Sequence, residues 1–301
     1  MPGPLQTHPG PLRALAATAR LANLPSVAAN VLLGALVAGA DFDARAGLVV
    51  IAGLCLYLCG TFLNDWADRK WDAARRPERA LPRGLFRPGV YLGAGLAMAA
   101  CGLTAAAAAD WRAMTVAAAI AANVGLYTWL HKKSAWSAVF MGLCRALLPL
   151  LGWAAAGDTS FMAAALLAGL ALFFHVAGIS LLARGESLAT PLHGAHRAYG
   201  SFACSAVVMF LTAAWFFEIP AASAMTGLLP YALWTGLCLF RGIGIGEKIS
   251  GLLAGIPLVD WMLLLPIYLG IETAPGAGCC LWMPPLAFLA GKALQRLAPA
   301  T

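Results

Sequence analysis

Charge is what this sequence has least of. Asp, Glu, Lys and Arg make up 11% of its 301 residues, against 61% hydrophobic residues. A soluble domain is about 25% charged, so this chain has too little charge to cover its own surface in water. A soluble enzyme, a nucleic-acid-binding protein and a disordered chain are excluded on that ground. The opening residues MPGPLQTHPGPLRALAA contain no apolar core ending in a small-residue cleavage site, so no cleavable secretory signal is expected. Residues 1–17 read instead as a flexible N-terminal segment. Of the eight cysteines, most sit inside apolar runs. None has metal-ligand spacing with a histidine, so they read as small hydrophobes rather than disulfide partners or a zinc site.

Long apolar runs are what the chain has in abundance. Stretches near 19–40, 46–64, 89–109, 112–130, 136–156, 160–183, 198–217, 222–241, 250–271 and 279–298 each approach the length of a bilayer crossing. They lack the period-2 alternation of barrel strands, so helices are expected throughout. The fold class is therefore an all-α polytopic membrane protein, one transmembrane domain over 1–301.

Charge is also lopsided. Of the 20 basic residues, 17 fall in one alternate set of connections, from Arg13 and Arg20 to Lys292 and Arg296. The opposite set holds Asp41, Asp43, Asp110, Asp158, Glu218 and Glu272. The positive-inside rule then places both termini in the cytoplasm, with ten crossings satisfying the even count required. The net charge of +7 is thus a topology signal; membrane lipid is a partner and nucleic acid is not. Two cytoplasmic connections, 65–88 and 184–197, are long and polar. They follow the second and sixth runs, and long loops in compact bundles are often functional. A site is expected where they face each other.

The first of these connections opens on Asn64-Asp65-Trp66-Ala67-Asp68-Arg69-Lys70-Trp71-Asp72. If the helix continues through it, Asn64, Asp68 and Asp72 form one stripe at i, i+4, i+8, with Asp65 beside it. Like charges so spaced repel unless a cation neutralises them. An all-oxygen set without His or Cys suits Mg²⁺, which binds through a few carboxylates plus substrate phosphates. Arg76 and Arg79 follow on a proline-stiffened loop, and guanidinium groups match phosphate oxygens. The alternative is a solvated cytoplasmic turn in which these acids pair only with Arg69, Lys70, Arg75 and Arg76.

Asn64-Asp65-x-x-Asp68-x-x-x-Asp72, followed by Arg76-Pro77-x-Arg79-x-Leu81-Pro82-x-Gly84, resembles the first signature of the UbiA-type intramembrane prenyltransferases. The resemblance implies a nine-helix bundle with the tenth run as a C-terminal addition. It also implies Mg²⁺-dependent transfer of a prenyl group from a prenyl diphosphate to a lipophilic, typically aromatic, acceptor. The metal would be held by Asn64, Asp65, Asp68 and Asp72. The second Asp-rich motif of that family is missing: the run from His175 to Pro191 contains no Asp. Glu186 is the only carboxylate there that could stand in, and Arg184 would replace a metal as diphosphate clamp; the alternative is that this half has lost its catalytic chemistry. Asp68, Asp72, Arg184 and Glu186 are the candidate catalytic set. The Arg184-Gly185-Glu186 run, with Met141-Gly142-Leu143-Cys144-Arg145, is similar to the divergent EboC-like branch.

Arg145 lies inside an apolar run, where a charge normally faces a cavity or a partner. It is a candidate contact to the diphosphate, and Asp260, midway along another run, is a candidate partner for it. Tyr127 and Lys132 close the fourth run on the basic side, and the resemblance brings such residues to the diphosphate, alongside Arg76 and Arg79. Three readings share this chemistry: a cytoplasm-facing prenyltransferase, an intramembrane terpene cyclase, and a non-catalytic prenyl-lipid-binding or export-assisting protein. A CDP-alcohol phosphotransferase would need a D-G-x-x-A-R motif that the chain lacks.

Overall fold

The computed structural model describes residues 10–40, 43–130, 137–156, 161–187, 195–270 and 281–298, and every regular element among them is helical. In chain order these are α1 (Pro11–Thr18), a 3-10 turn (Leu21–Asn23), α2 (Leu24–Val37), α3 (Ala44–Arg75), α4 (Pro88–Ala109), α5 (Trp111–Leu130) and α6 (Ser137–Trp153). Then come α7 (Met162–Ser187), α8 (Ala195–Leu211) with a π-helical turn (Thr212–Phe216), α9 (Ala221–Phe240), α10 (Ile245–Ala254), α11 (Ile256–Gly270) and α12 (Met283–Leu294).

Among the described residues, seven helices are long and apolar enough to cross a membrane, counting α10 and α11 as one span, and the pair α1 and 21–37, bent by 42°, makes an eighth. The apolar helix α6 has 17 residues, about 25 Å at 1.5 Å per residue. Ten crossings are therefore not what the described helices provide. The tenth run yields α12, only 12 residues long. Pro284 and Pro285 explain this: proline is tolerated in the first turn of a helix and not in its interior. Residues 11–18, expected within a flexible lead-in, form α1.

Both long connections are shorter than expected, because helices run on into them. No Gly or Pro interrupts 61–76, so α3 continues to Arg75 and is 32 residues long. Pro77 stops it by pushing the preceding residue out of the helical region; Arg76 has φ −137° and ψ 61°. The carboxylate row thus stands on a rigid helix, and the connection is only 76–87. On the other side α7 reaches Ser187, and residues 188–194 lie outside the described residues.

Two buried apolar clusters build the bundle. One joins α2 to α6 through Val31, Leu56, Ile120 and Leu151. The other joins α7 to α11 through Leu172, Met209, Leu252 and Met262. In lipid, close approach of helices depends on small residues at the contact. Gly34 faces the Pro149 carbonyl and Gly152 the Val31 carbonyl, with no room for a Cβ at either. The backbones of α2 and α6 therefore touch. Arg13 Nε donates to the Leu297 carbonyl at 3.2 Å, so both ends of the described chain lie at the same end of the bundle.

Candidate functional site

The loop after α3 is anchored from below. Ala80, Tyr91 and Ala14 form a small buried cluster with Phe62, Trp66, Leu81, Leu85 and Phe86 packed on it. Thr18 Oγ1 and Tyr91 Oη share a hydrogen bond of 2.9 Å, tying α1 to α4 beneath the loop. Within the loop, Leu85 N donates to the Ala80 carbonyl and Gly84 N to the Leu81 carbonyl. Gly84 takes φ +70°, a left-handed conformation that glycine adopts without cost. This frame presents Arg79 inward. Arg76 is exposed, its guanidinium 6.0 Å from the Trp71 ring centroid.

Asn64, Asp65, Asp68 and Asp72 are all buried, at 7%, 9%, 6% and 2% exposure. At about 100° per residue, Asp65 and Asp72 fall about 20° apart on α3, and Asn64 and Asp68 occupy the neighbouring edge. Arg79 takes the first edge. Its Nη1 reaches Asp65 Oδ1 at 3.0 Å and Asp72 Oδ2 at 3.2 Å. Asp65 and Asp72, expected as metal ligands, are thus neutralised by the arginine expected to hold phosphate.

The second edge carries an orphaned oxygen. Asn64 Oδ1 is buried without a hydrogen-bond partner, a state that costs about 1–3 kcal/mol unless something occupies it. Among the described residues no three His, Cys, Asp or Glu side chains converge on a metal. The oxygens of Asn64 and Asp68 still fit Mg²⁺, which is commonly held by one or two protein oxygens and completed by substrate phosphates and water.

A further cation faces this row. Arg20 sits at the break between α1 and the 3-10 turn with φ 45° and ψ 52°, a left-handed conformation that costs a non-glycine residue about 1–2 kcal/mol. Burial opposes its charge, and Tyr57, Asp65, Tyr127 and Asp68 offset that opposition. Tyr127 of α5 is thus within electrostatic range of Arg20. Arg20 had been read only as a topology signal, because nothing local in the sequence marks the backbone break that aims it.

Arg145 sits deeper. Its Nη1 donates to Asn30 Oδ1 at 2.8 Å and its Nη2 to Ser26 Oγ at 3.0 Å. Asn30 Nδ2 in turn donates to both oxygens of Asp260, each at 2.8 Å. Asp260 is therefore a partner of Arg145 through Asn30, with no direct ion pair between them. The Arg145 guanidinium also lies 5.8 Å from the Tyr57 ring centroid, and Tyr57 Oη accepts from Asn23 Nδ2 at 3.1 Å. Asn23, Ser26, Asn30 and Tyr57 had not been singled out. Their signal was legible: Asn23, Ser26 and Asn30 fall at i, i+3, i+7 on one face of an apolar run.

Lys132 lies outside the described residues. Arg184 and Glu186 are on the last turn of α7, and their side chains lie outside the described residues.

The sequence profile described as the UbiA prenyltransferase family matches residues 27–249. A protoheme IX farnesyltransferase of Anaeromyxobacter sp. is 27% identical over 71% of this chain and 77% of its own length. A digeranylgeranylglyceryl phosphate synthase of Methanopyrus kandleri is 31% identical over 40% of this chain and 45% of its own length. A protoheme IX farnesyltransferase of Thermosynechococcus vestitus is 38% identical over 37% of each chain. The chain thus spans less than half the length of these last two relatives. In fold, it resembles a digeranylgeranylglyceryl phosphate synthase structure, with TM-score 0.60, 16% identity and coverage of 86% of this chain and 98% of the other. It also resembles a UbiA homolog from Archaeoglobus fulgidus bound to DMAPP and Mg²⁺, with TM-score 0.54, 16% identity and coverage of 94% and 98%.

Proposed function

The chain belongs to the UbiA prenyltransferase family, and on that premise we propose that it transfers a prenyl group from a prenyl diphosphate to a lipophilic, aromatic acceptor inside the membrane. The observation that carries this reading is the buried edge of α3 where Asn64 Oδ1 has no partner beside Asp68. A buried amide oxygen without a partner, one helical turn from a buried carboxylate, suits a cation. The A. fulgidus homolog bound to DMAPP and Mg²⁺ supports the ligand class.

Asn64 and Asp68 would hold Mg²⁺, with Asp65 and Asp72 as further ligands once Arg79 is drawn away. Bound there, Mg²⁺ supplies positive charge to the diphosphate oxygens as a Lewis acid. Arg79, Arg20 and Tyr127 face the same space, with Arg76 at its rim. Lys132 and Arg184 complete the cationic set, and Glu186 stands in for the missing second acidic motif. In the reaction, the bond from the allylic carbon to the diphosphate oxygen breaks and its electron pair leaves with the diphosphate. The fixed cations stabilise that developing charge. A new bond then forms from the allylic carbon to the acceptor, which loses a proton. The basic end of the bundle is assigned to the cytoplasm by its 17 cations. The Arg184-Gly185-Glu186 run and the Met141–Arg145 segment support placement in the EboC-like branch.

The absence of Asp from His175 to Pro191 favours prenyl-lipid binding without turnover as the second reading. Purified protein in nanodiscs, given Mg²⁺ and radiolabelled prenyl diphosphates of several lengths, separates the two. Diphosphate release that disappears in Asp68→Ala supports transfer. Binding without release at any chain length establishes the second reading. A cyclic hydrocarbon product formed without acceptor would identify a cyclase.

A further inference from the structure

Arg145 is placed where the diphosphate chemistry does not need it. Tyr57 precedes Asn64 by seven residues on the same face of α3, so it lies two turns, about 10 Å, farther into the membrane. Arg145 packs against that ring, its guanidinium 5.8 Å from the centroid. It is 7% exposed, and its guanidinium is already committed to Asn30 and Ser26.

The way it is held is informative. A charge at membrane depth needs compensation, and a direct bidentate contact with Asp260 would supply it by an ion pair. The structure instead interposes Asn30. The amide nitrogen donates to the Asp260 carboxylate and the amide oxygen accepts from Arg145, which leaves only one orientation for the amide. Asp260 compensates the charge at a distance while the arginine keeps part of its donor fork. Of five N–H groups on an arginine, Asn30 and Ser26 take two. The others have no hydrogen-bond partner among the described residues.

We propose that Arg145 donates to the oxygen of the lipophilic acceptor, a phenol-type hydroxyl, at the depth of Tyr57, and that Asn30 and Asp260 are positioning residues for it. A prenyl tail is hydrocarbon and gains nothing from N–H donors. The diphosphate belongs to the Asn64–Asp68 edge two turns away. The acceptor is the component left with a polar atom to place at this depth. Tyr57, held by Asn23, offers an aromatic face beside Arg145 against which an acceptor ring can stack. The inference rests on the prenyl-transfer reading and specifies which residues take which substrate.

The test measures binding to the full chain in nanodiscs with MgCl2 and geranylgeranyl thiolodiphosphate, an analogue that resists ionisation. The acceptor probes are 4-nonylphenol and its oxygen-free counterpart nonylbenzene. Wild type is expected to prefer the phenol by at least about tenfold, as a satisfied buried hydrogen bond to a charged donor permits. Arg145→Met is expected to bring the preference below about twofold while changing analogue affinity by less than about threefold. Asp260→Asn, which acts only through Asn30, is expected to cut the preference severalfold. Arg145→Lys, which keeps the charge and loses the fork, is expected to retain part of it, and carries the comparison if Arg145→Met does not fold. A phenol preference that survives both Arg145 variants overturns the proposal. So does a tenfold loss of analogue affinity in either, which would make Arg145 a diphosphate ligand. If wild type shows no Mg²⁺-dependent analogue binding yet prefers the phenol through Arg145, the acceptor site stands and the prenyl-transfer reading falls.

Discussion

Arg79 meets Asp72 at 3.2 Å across the end of α3, and the same nitrogen meets Asp65 at 3.0 Å. One guanidinium thereby closes the edge of an acidic row that would otherwise repel itself, and it does so from the loop that carries the phosphate-matching arginines. The counter-cation of these two carboxylates comes from the chain itself.

Removing that cation is expected to matter most when no metal is present. Arg79→Ala takes a guanidinium away from the buried Asp65 and Asp72, and Mg²⁺ bound to the folded state offsets the loss by mass action. Thermal unfolding should show a larger drop for Arg79→Ala in EDTA than in millimolar MgCl2. Equal drops in both would mean that the metal and Arg79 do not share these carboxylates.

Asn64→Leu separates stability from function. The substitution removes a buried acceptor that has no partner, and an apolar replacement of similar shape is neutral or stabilising. The melting temperature should hold or rise by about 2 °C, corresponding to roughly 1 kcal/mol. Mg²⁺-dependent binding of a prenyl diphosphate should weaken by at least about tenfold, a loss of the size seen for residues that tune a metal site.

Gly84→Ala forces a Cβ into φ +70°, although space around it is open. The cost is about 1 kcal/mol of backbone strain. Because this turn frames Arg79, the KM for prenyl diphosphate should rise while kcat stays within about twofold. A fall in kcat alone would place Arg79 outside ground-state binding.

Gly34→Ala tests the seam that carries Asn30 and Ser26 to Arg145. Its Cβ has no room against the Pro149 backbone, and overpacking costs about 1–3 kcal/mol. The expected outcome is a lower melting temperature together with loss of the Arg145-dependent phenol preference. Gly125→Ala, with open space around it, should change neither.

Much of the site was legible because α3 is regular. Once no residue between Gly60 and Pro77 breaks the helix, the four-residue step places Asn64, Asp68 and Asp72 on one stripe and makes each neighbour computable. The Arg76-Pro77-x-Arg79 run was equally readable as a stiff basic loop. What pattern reading missed was contact between elements. The length of 65–88 as a loop was overestimated because polarity was taken as a helix end, whereas this helix simply leaves the membrane. Arg20 was invisible as a site residue because its aim depends on a left-handed backbone break. The tenth run carries Pro284 and Pro285, and the helix described in it is the 12-residue α12.

The sequence by itself determined that this is a helical membrane protein with a basic end, and that an acidic, amide-bearing stripe lies at that end. Helical periodicity and the cost of charge in lipid act locally, so residue order suffices for both. Only the tertiary structure decided that Arg79 neutralises Asp65 and Asp72, that Arg20 faces Asp68, and that Arg145 reaches Asp260 through Asn30. Those relationships join residues 7 to 230 positions apart. They depend on where a loop folds back and on two glycines that let α2 and α6 touch.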